Sequence, residues 1–310
     1  MADIVIAEFM DGTAVADLLR TYDVFYDASL VERAEELRRR VADARALIVR
    51  NRTEVRGDLL AAAARLSCVG RLGVGLDNID VEACRDRGVA VYPATGANDI
   101  AVAEYVIATA MILLRGAYGA TADVAAGGWP RNRLIGREIA GKRLGLVGFG
   151  AIARAVADRA AALGLTVGAF DPHVAAGDPA WARAERLDLD SLLARSDIVS
   201  LHVPLTGETR NMIGGRAIAR MKSDAVLVNA ARGGIVDEAA LCAALAAHRL
   251  GGAALDVFAE EPVSAEAGAR FVGVPNLILT PHIAGLTQES NVRVSRLVAE
   301  KVRRHLESQR

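Results

Sequence analysis

The sequence predicts an α/β protein built of two doubly wound parallel-sheet domains, and three observations carry that expectation. Short β-branched runs alternate with helical stretches along all 310 residues. Such alternation specifies parallel sheets with helices on both faces. The length suits two domains of ordinary size. In the second part of the chain, Gly148-Phe149-Gly150-Ala151-Ile152-Ala153 stands between a strand-like and a helix-like segment, the setting of a dinucleotide-binding turn.

Hydrophobic residues make up 52 % and charged residues 24 % of the chain, enough apolar side chain for a large core and too much for disorder. A formal net charge of -1 supplies no electrostatic reason to expect nucleic acid or a membrane surface as partner. The clusters Arg38-Arg39-Arg40 and Arg303-Arg304 are short, lie among acids and read as solvated helix faces. Cys68, Cys84 and Cys242 stand far apart without a CxxC pattern and read as small hydrophobes in a reducing compartment. Met1 to Phe9 lacks the basic start of a signal peptide. The apolar run from Ile100 to Leu114 is broken by Glu104 and is shorter than a membrane span. A cytoplasmic protein is therefore expected.

In the first part, strands are expected at Ile4–Ala7, Val24–Tyr26, Ala46–Val49, Cys68–Arg71 and Val89–Tyr92, with helical patterns such as Leu30–Arg40 and Leu59–Arg65 between them. Periodicity breaks near Pro93–Asn98. The second part repeats the alternation with six strands, the size of a dinucleotide-binding sheet. They are Arg143–Val147, Thr166–Phe170, Ile198–His202, Ala225–Val228, Gly252–Leu255 and Leu277–Leu279. Helical spacing at Val292, Ser295, Val298 and Val302 suggests that the chain then returns to the first domain. The expected division is residues 1–97 with 285–310, and 98–284.

In the Gly148 run, the first glycine permits the tight turn and Gly150 lets the backbone approach a pyrophosphate. Ala153 lets helix and strand pack closely, and the helix N-terminus faces the phosphates. Asp171 follows the next strand, about twenty residues on, where an acid binds ribose hydroxyls and repels a 2′-phosphate. Pro172, His173 and Val174 supply no arginine, so NAD is expected rather than NADP.

Ligands of open parallel sheets bind beyond the carboxyl ends of the strands. Gly148, Gly150, Asp171, His202-Val203-Pro204, Asn229 to Arg232, Asp256 and His282 all fall there. Dehydrogenation of a hydroxy acid needs a cation for the carboxylate, an acid/base group titrating near neutrality and a carboxylate to orient it. Arg232, His282 and Glu261 fit these roles, the arginine because its planar fork matches a carboxylate bidentately. His173, His202, His248, His282 and His305 show no HxxxH or HxH spacing, so metal catalysis is not expected.

These segments, with Val69-Gly70-Arg71-Leu72-Gly73-Val74-Gly75-Leu76-Asp77-Asn78-Ile79-Asp80, Asn229 to Leu241, Gly252 to Pro262 and Pro281 to Gly285, resemble the D-isomer-specific 2-hydroxyacid dehydrogenase family. The likeness is greatest to the catalytic core of 3-phosphoglycerate dehydrogenases and spans nearly the whole chain. It implies a flavodoxin-like substrate domain, a Rossmann NAD-binding domain and a catalytic set of Arg232, Glu261 and His282. It implies NAD contacts at Val74, Gly148, Gly150, Ala151, Ile152, Asp171, Val203, Pro204, Ala230, Ala231, Asp256 and Gly285. Backbone N–H groups of Gly73-Val74-Gly75 would hold the substrate carboxylate, and Asn98 belongs to the expected substrate site. Domains that close over the substrate are implied. So is a homodimer through the NAD domain, with Asp99–Leu114 and Trp129–Ile139 in the contact.

The run Pro281-His282-Ile283-Ala284-Gly285-Leu286-Thr287 departs from the phosphoglycerate dehydrogenase pattern. With Ser290-Asn291 it is similar to a subgroup that includes 3-sulfolactate dehydrogenases. Nothing follows Arg310, so a serine-binding regulatory domain is not expected. Arg50-Asn51-Arg52-Thr53 and Arg71 stand beside the expected cleft, and one or two of them would bind a second anionic group, phosphate or sulfonate. The substrate expected is thus a small anionic 2-hydroxy or 2-oxo acid. Two alternatives stand beside it: a glyoxylate or hydroxypyruvate reductase, and an NAD-sensing corepressor-like binding module.

Overall fold

The structure, a computed structural model, describes residues 2–309. It divides into two compact units, Met1–Asn98 with Leu286–Arg310, and Asp99–Gly285. Each crossing falls one residue later than the sequence suggests.

The first unit is a five-stranded parallel sheet. Its strands are β1 (Ile4–Ile6), β2 (Val24–Tyr26), β3 (Ala46–Val49), β4 (Cys68–Arg71) and β5 (Ala90–Pro93), in the order β2-β1-β3-β4-β5. This is the flavodoxin order, whose switch point lies between β1 and β3. β1, β3 and β4 are buried throughout, which is why they read as unbroken apolar runs. Side chains alternate between faces. Ile4, Ile6, Ala46, Ile48 and Cys68 join one core, and Val5, Leu47, Val49 and Val69 join the other.

The helix Gln288–Ser308 covers the first of these faces. Thr287 and Ser290 form a capping box at its start, satisfying two backbone donors reciprocally. Its buried stripe is Val294, Val298, Val302 and Leu306, at helical spacing of four. Val292, expected in that stripe, is exposed at 47 %. A Cβ on Gly70 would lie 2.6 Å from Val298 Cγ1, so glycine in β4 is what lets the helix approach the sheet.

Two helical patterns differ from expectation. Leu30–Arg40 is broken at Arg33, whose backbone leaves the helical region at φ -122, ψ 71. Leu30–Glu32 becomes a single 3-10 turn and Ala34–Val41 the helix. The second helix runs Gly57–Ala62 rather than to Arg65.

The second unit is a seven-stranded parallel sheet. Its strands are β6 (Arg143–Val147), β7 (Thr166–Phe170), β8 (Glu185–Arg186), β9 (Ile198–Leu201), β10 (Val226–Asn229), β11 (Gly252–Leu255) and β12 (Leu277–Leu279). From one edge the order is β8-β7-β6-β9-β10-β11-β12, the 3-2-1-4-5-6 arrangement of dinucleotide-binding sheets with one strand added. The strand the sequence did not reveal is β8. It has two residues, both exposed, and hence no apolar signature.

The helices Asp99–Arg115 and Ala151–Ala162 pack together over one face, where Val102, Val106, Ala110, Leu113, Val156 and Ala160 meet Leu144, Leu146 and Val226. The helix Glu238–Ala246 covers the other face through Leu241 and Leu245. Among the described residues no single helix is long and apolar enough to cross a membrane. Asp99–Arg115 and Tyr118–Ala125 qualify only as a pair bent by 67°, and the first of them lies in the core.

Candidate active site

In the second unit the switch point lies between β6 and β9, and the Gly148 turn occupies it. Gly148 has φ 91, a conformation that glycine adopts without penalty. A Cβ there would meet the carbonyl of His202 at the end of β9. Gly150 caps the helix Ala151–Ala162 without any side-chain bond, and its Cβ position opens on empty space. The first-turn N–H groups of that helix are thus available to an anion.

Asp171, at the end of β7, accepts the N–H of Phe149 (2.8 Å) and of His173 (2.9 Å). It therefore fixes the Gly148 turn and keeps acceptor capacity for ribose hydroxyls, since a carboxylate offers about four lone-pair sites. Val203 stands beside Gly148, with Pro204 behind it. The residues present fit a dinucleotide. His202, just before Val203, bonds Ser200 Oγ through Nε2 at 2.9 Å, and burial pushes its imidazole down to about 4. It is uncharged at neutral pH.

Three loops beyond β10, β11 and β12 bring Arg232, Glu261 and His282 together. His282 Nδ1 lies 2.6 Å from Glu261 Oε2, and Glu261 Oε1 accepts the N–H of Phe258 at 2.9 Å. Burial raises the Glu261 carboxyl, but these bonds and the charges of His282 and Arg232 outweigh it and hold the group below its ordinary value. Glu261 is therefore an anion, and it turns the Nε2 edge of His282 outward.

Arg232 bonds the carbonyl of Ala231 at 2.5 Å. Its loop is shaped by Asn229, buried at the end of β10, which donates to Arg232 O (3.0 Å) and accepts from Ala231 N (3.1 Å). Ala230, Ala231 and Gly285 are half-buried. A Cβ on Gly233 would collide with the carbonyl of Phe258. The first glycine of the Arg-Gly-Gly run thus permits contact between the arginine loop and the glutamate loop.

Asp256, expected against the cofactor, is 1 % exposed and holds the histidine loop. It accepts from Thr280 Oγ1 (2.6 Å), Ile283 N (2.8 Å) and Ala284 N (2.8 Å), while its carbonyl accepts His282 N–H (2.8 Å). Tyr105 braces Thr280 from the core helix at 2.6 Å. Thr280 and Tyr105 carry no local signal, because their partners lie far away in the chain.

In the first unit the switch point holds Glu8, which no sequence motif marks. It follows β1, is 4 % exposed, and accepts the backbone N–H groups of Arg50 (2.8 Å), Arg52 (3.2 Å) and Thr53 (3.0 Å). Asn78, also buried, holds the same loop through the carbonyls of Arg50 and Thr53. An acid directly after an apolar run, at the strand where the order reverses, is the one signal that could have found it.

Arg50 is half-buried. Its Nη2 bonds Asn291 Oδ1 at 2.5 Å and its Nε, though buried, has no partner. Burial lowers its pKa, against the pull of Glu8 and Tyr26. Arg71 is 8 % exposed, and its guanidinium fills the space a Cβ on Gly73 would take. Val74 and Gly75 continue that loop half-buried, Asn98 Oδ1 is buried without a partner, and Asn51 is exposed. Arg52 departs from the group: its guanidinium is on the surface, bonded to Glu32 at 3.2 Å.

A dinucleotide crevice next to an Arg/Glu/His triad defines an NAD-dependent oxidoreductase of hydroxy acids. The family model for the NAD binding domain of D-isomer specific 2-hydroxyacid dehydrogenases matches residues 107–284, and the chain belongs to that family. It is 55 % identical to the (S)-sulfolactate dehydrogenase of Chromohalobacter salexigens over 99 % of each chain. It is 38 % identical to the D-3-phosphoglycerate dehydrogenase of Archaeoglobus fulgidus, over 96 % of this chain but 56 % of that one. The chain thus spans about half the length of such phosphoglycerate dehydrogenases. The crystal structure of the TT0316 protein from Thermus thermophilus matches with a TM-score of 0.89 at 32 % identity, over 98 % of this chain and 97 % of that one.

Proposed function

We propose that the chain oxidises, reversibly, a D-configured 2-hydroxy acid bearing a second anionic group, of which (S)-3-sulfolactate is the best-fitting example. The observation that carries the second anion is Arg50, a half-buried guanidinium whose buried Nε has no partner, on a loop fixed by Glu8 and Asn78. A buried charge without a full set of bonds is costly, and an oxyanion relieves that cost. With Arg52 turned to Glu32, Arg50 is the cation this loop presents. The activity of the 55 % identical relative supports the choice of sulfolactate.

The descriptor S agrees with a D-specific family. Sulfur outranks oxygen in priority, so the sulfomethyl arm ranks above the carboxylate. The spatial arrangement that is R in D-lactate is then named S.

Bound NAD supplies the acceptor for the hydride that leaves C2. The chain's own residues do the rest. Arg232 grips the C1 carboxylate and polarises the C2 oxygen. His282 Nε2 takes the hydroxyl proton as the C2–O bond becomes a carbonyl. Glu261, an anion facing His282 Nδ1, stabilises the imidazolium that results. In the reverse direction the same nitrogen returns the proton. We further propose a cytoplasmic homodimer that uses the exposed apolar residues Tyr118, Trp129 and Ile135 of the second unit.

The deciding experiment compares kcat/KM for (S)-3-sulfolactate, 3-phospho-D-glycerate, D-glycerate and D-lactate, in wild type and Arg50→Ala. A charge-assisted hydrogen bond contributes about 1.5–3 kcal/mol, or roughly 10- to 150-fold. Sulfolactate should exceed D-lactate by at least that factor, and Arg50→Ala should abolish the advantage. Equal efficiency on D-lactate would end the second-anion assignment, and a preference for D-glycerate would favour a hydroxypyruvate reductase.

A further inference from the structure

Glu238 is a buried carboxylate that none of the chemistry above uses. It is the first residue of the helix Glu238–Ala246, behind the N-cap Asp237, and only 8 % exposed. A side chain at a helix start ordinarily points to water and favours the dipole from there. This one points inward, to the loop that carries Glu261. Its Oε1 accepts the N–H of Ala259 at 2.7 Å. Its Oε2 lies 3.2 Å from Arg270 Nη1, and Arg270 is itself anchored through Nε to Ala267 O at 2.9 Å. The buried charge is thus paired on one oxygen and directed on the other.

The peptide it holds is the central one of the turn. Phe258, just before Ala259, gives its N–H to Glu261 Oε1 and sets its carbonyl against Gly233. Glu261 in turn faces His282 Nδ1. Glu238 is also continuous with the Arg232 loop, six residues along a run bridged at Ile213↔Val236. One short segment therefore presents the arginine at its start and grips the glutamate turn at its end. Ala259 is exposed, so without the Glu238 contact its N–H would bond water and the turn would lose its fixed inner point.

We propose that Glu238, held by Arg270, is a positioning residue that sets the Glu261 carboxylate against His282. This rests on the acid/base role of His282 given above. Supporting groups of this kind, where measured around metal ligands and reacting centres, alter function by about 10- to 100-fold.

The test measures pH profiles of kcat/KM with NAD and the best hydroxy acid for wild type, Glu238→Ala, Glu238→Gln and Arg270→Ala, with His282→Ala as control. Glu238→Ala should lower the plateau about 10- to 100-fold. It should also move the acid-side limb to lower pH, because a displaced Glu261 favours the imidazolium less. Glu238→Gln keeps an acceptor for Ala259 and should restore both plateau and limb to near wild type. Arg270→Ala should move the limb in the same direction by less. Should Glu238→Ala fail to accumulate, Glu238→Asp, one methylene short of Ala259, carries the same expectation. The proposal is overturned if the Ala variant loses rate with its limb unmoved, or if Gln behaves as Ala does. Wild-type turnover by His282→Ala would instead refute the underlying role, whatever Glu238 does.

Discussion

His282 carries a side chain in a backbone conformation that L-residues seldom adopt, φ 56, which costs about 1–3 kcal/mol unless its surroundings impose it. They do: Asp256 takes the N–H groups of residues 282, 283 and 284 on its carbonyl and carboxylate. The result aims a ring that is 41 % exposed at Glu261. His282→Ala should therefore lower kcat by about 10²–10⁴, the range of general acid–base catalysis, with a smaller change in KM. Arg232→Ala should damage both kcat and KM, since its fork serves binding and polarisation together. Steady-state kinetics separate the two, and an alanine variant at position 282 with native turnover would remove the histidine from the mechanism. At this scale the sequence shows residue types well and contacts poorly. Arg232, Glu261 and His282 stand out because each follows a strand. Asp256 looks the same, yet its carboxylate faces inward to the histidine loop, which no spacing reveals. The cysteines read as buried hydrophobes, and Cys68, pushed up to about 12 by burial, is as inert as that reading requires.

At the scale of elements, both sheets place polar residues where strand order reverses. β6 and β9 hold the Gly148 turn and His202, and β1 and β3 hold Glu8 and the Arg50 loop. His202 gives this architecture a measurable pH signature. Its folded value of about 4 lies below the ordinary histidine value near 6.5, so the unfolded chain binds the proton more readily. Stability is then greatest above 6.5 and declines as pH falls from there to about 4, by about 3 kcal/mol in full. Urea midpoints at pH 7 and 4.5 should show the decline in wild type and a shallower one in His202→Asn. Equal slopes would place the acid sensitivity elsewhere. Most strands are legible because burial on both faces writes them as apolar runs. β8 is not, since Glu185 and Arg186, which pair with β7, are both exposed. The break at Arg33 is hidden too, because Leu30, Leu37 and Val41 are all buried and keep a helical look across it.

At the scale of the molecule, the second unit leaves Tyr118, Trp129 and Ile135 exposed at 67, 74 and 79 %, against 46, 39 and 39 % for Ile100, Met111 and Ile112 of the helix Asp99–Arg115. Large exposed apolar side chains mark interaction surfaces where they gather into one patch. The contact of the proposed dimer is thus expected in the 118–135 segment more than in the helix. Light scattering should report about twice the 32.6 kDa of one chain, and Trp129→Glu with Ile135→Glu should return it to one. A monomeric wild type would discard the assembly. The sequence by itself determined the α/β class, the Gly148 turn, the acid after β7 that favours NAD, and the strand-end positions of Arg232, Glu261 and His282. These depend on local periodicity, turn geometry and the rule that parallel strands present their carboxyl ends to ligands. Tertiary structure alone decided that Glu8 braces the Arg50 loop, that Arg52 serves Glu32, that Asp256 aims His282, and that Glu238 reaches Ala259. Those are contacts between buried or diverted polar groups distant in the chain, and hydrogen-bond satisfaction in a core follows from three-dimensional neighbours, not from spacing along the sequence.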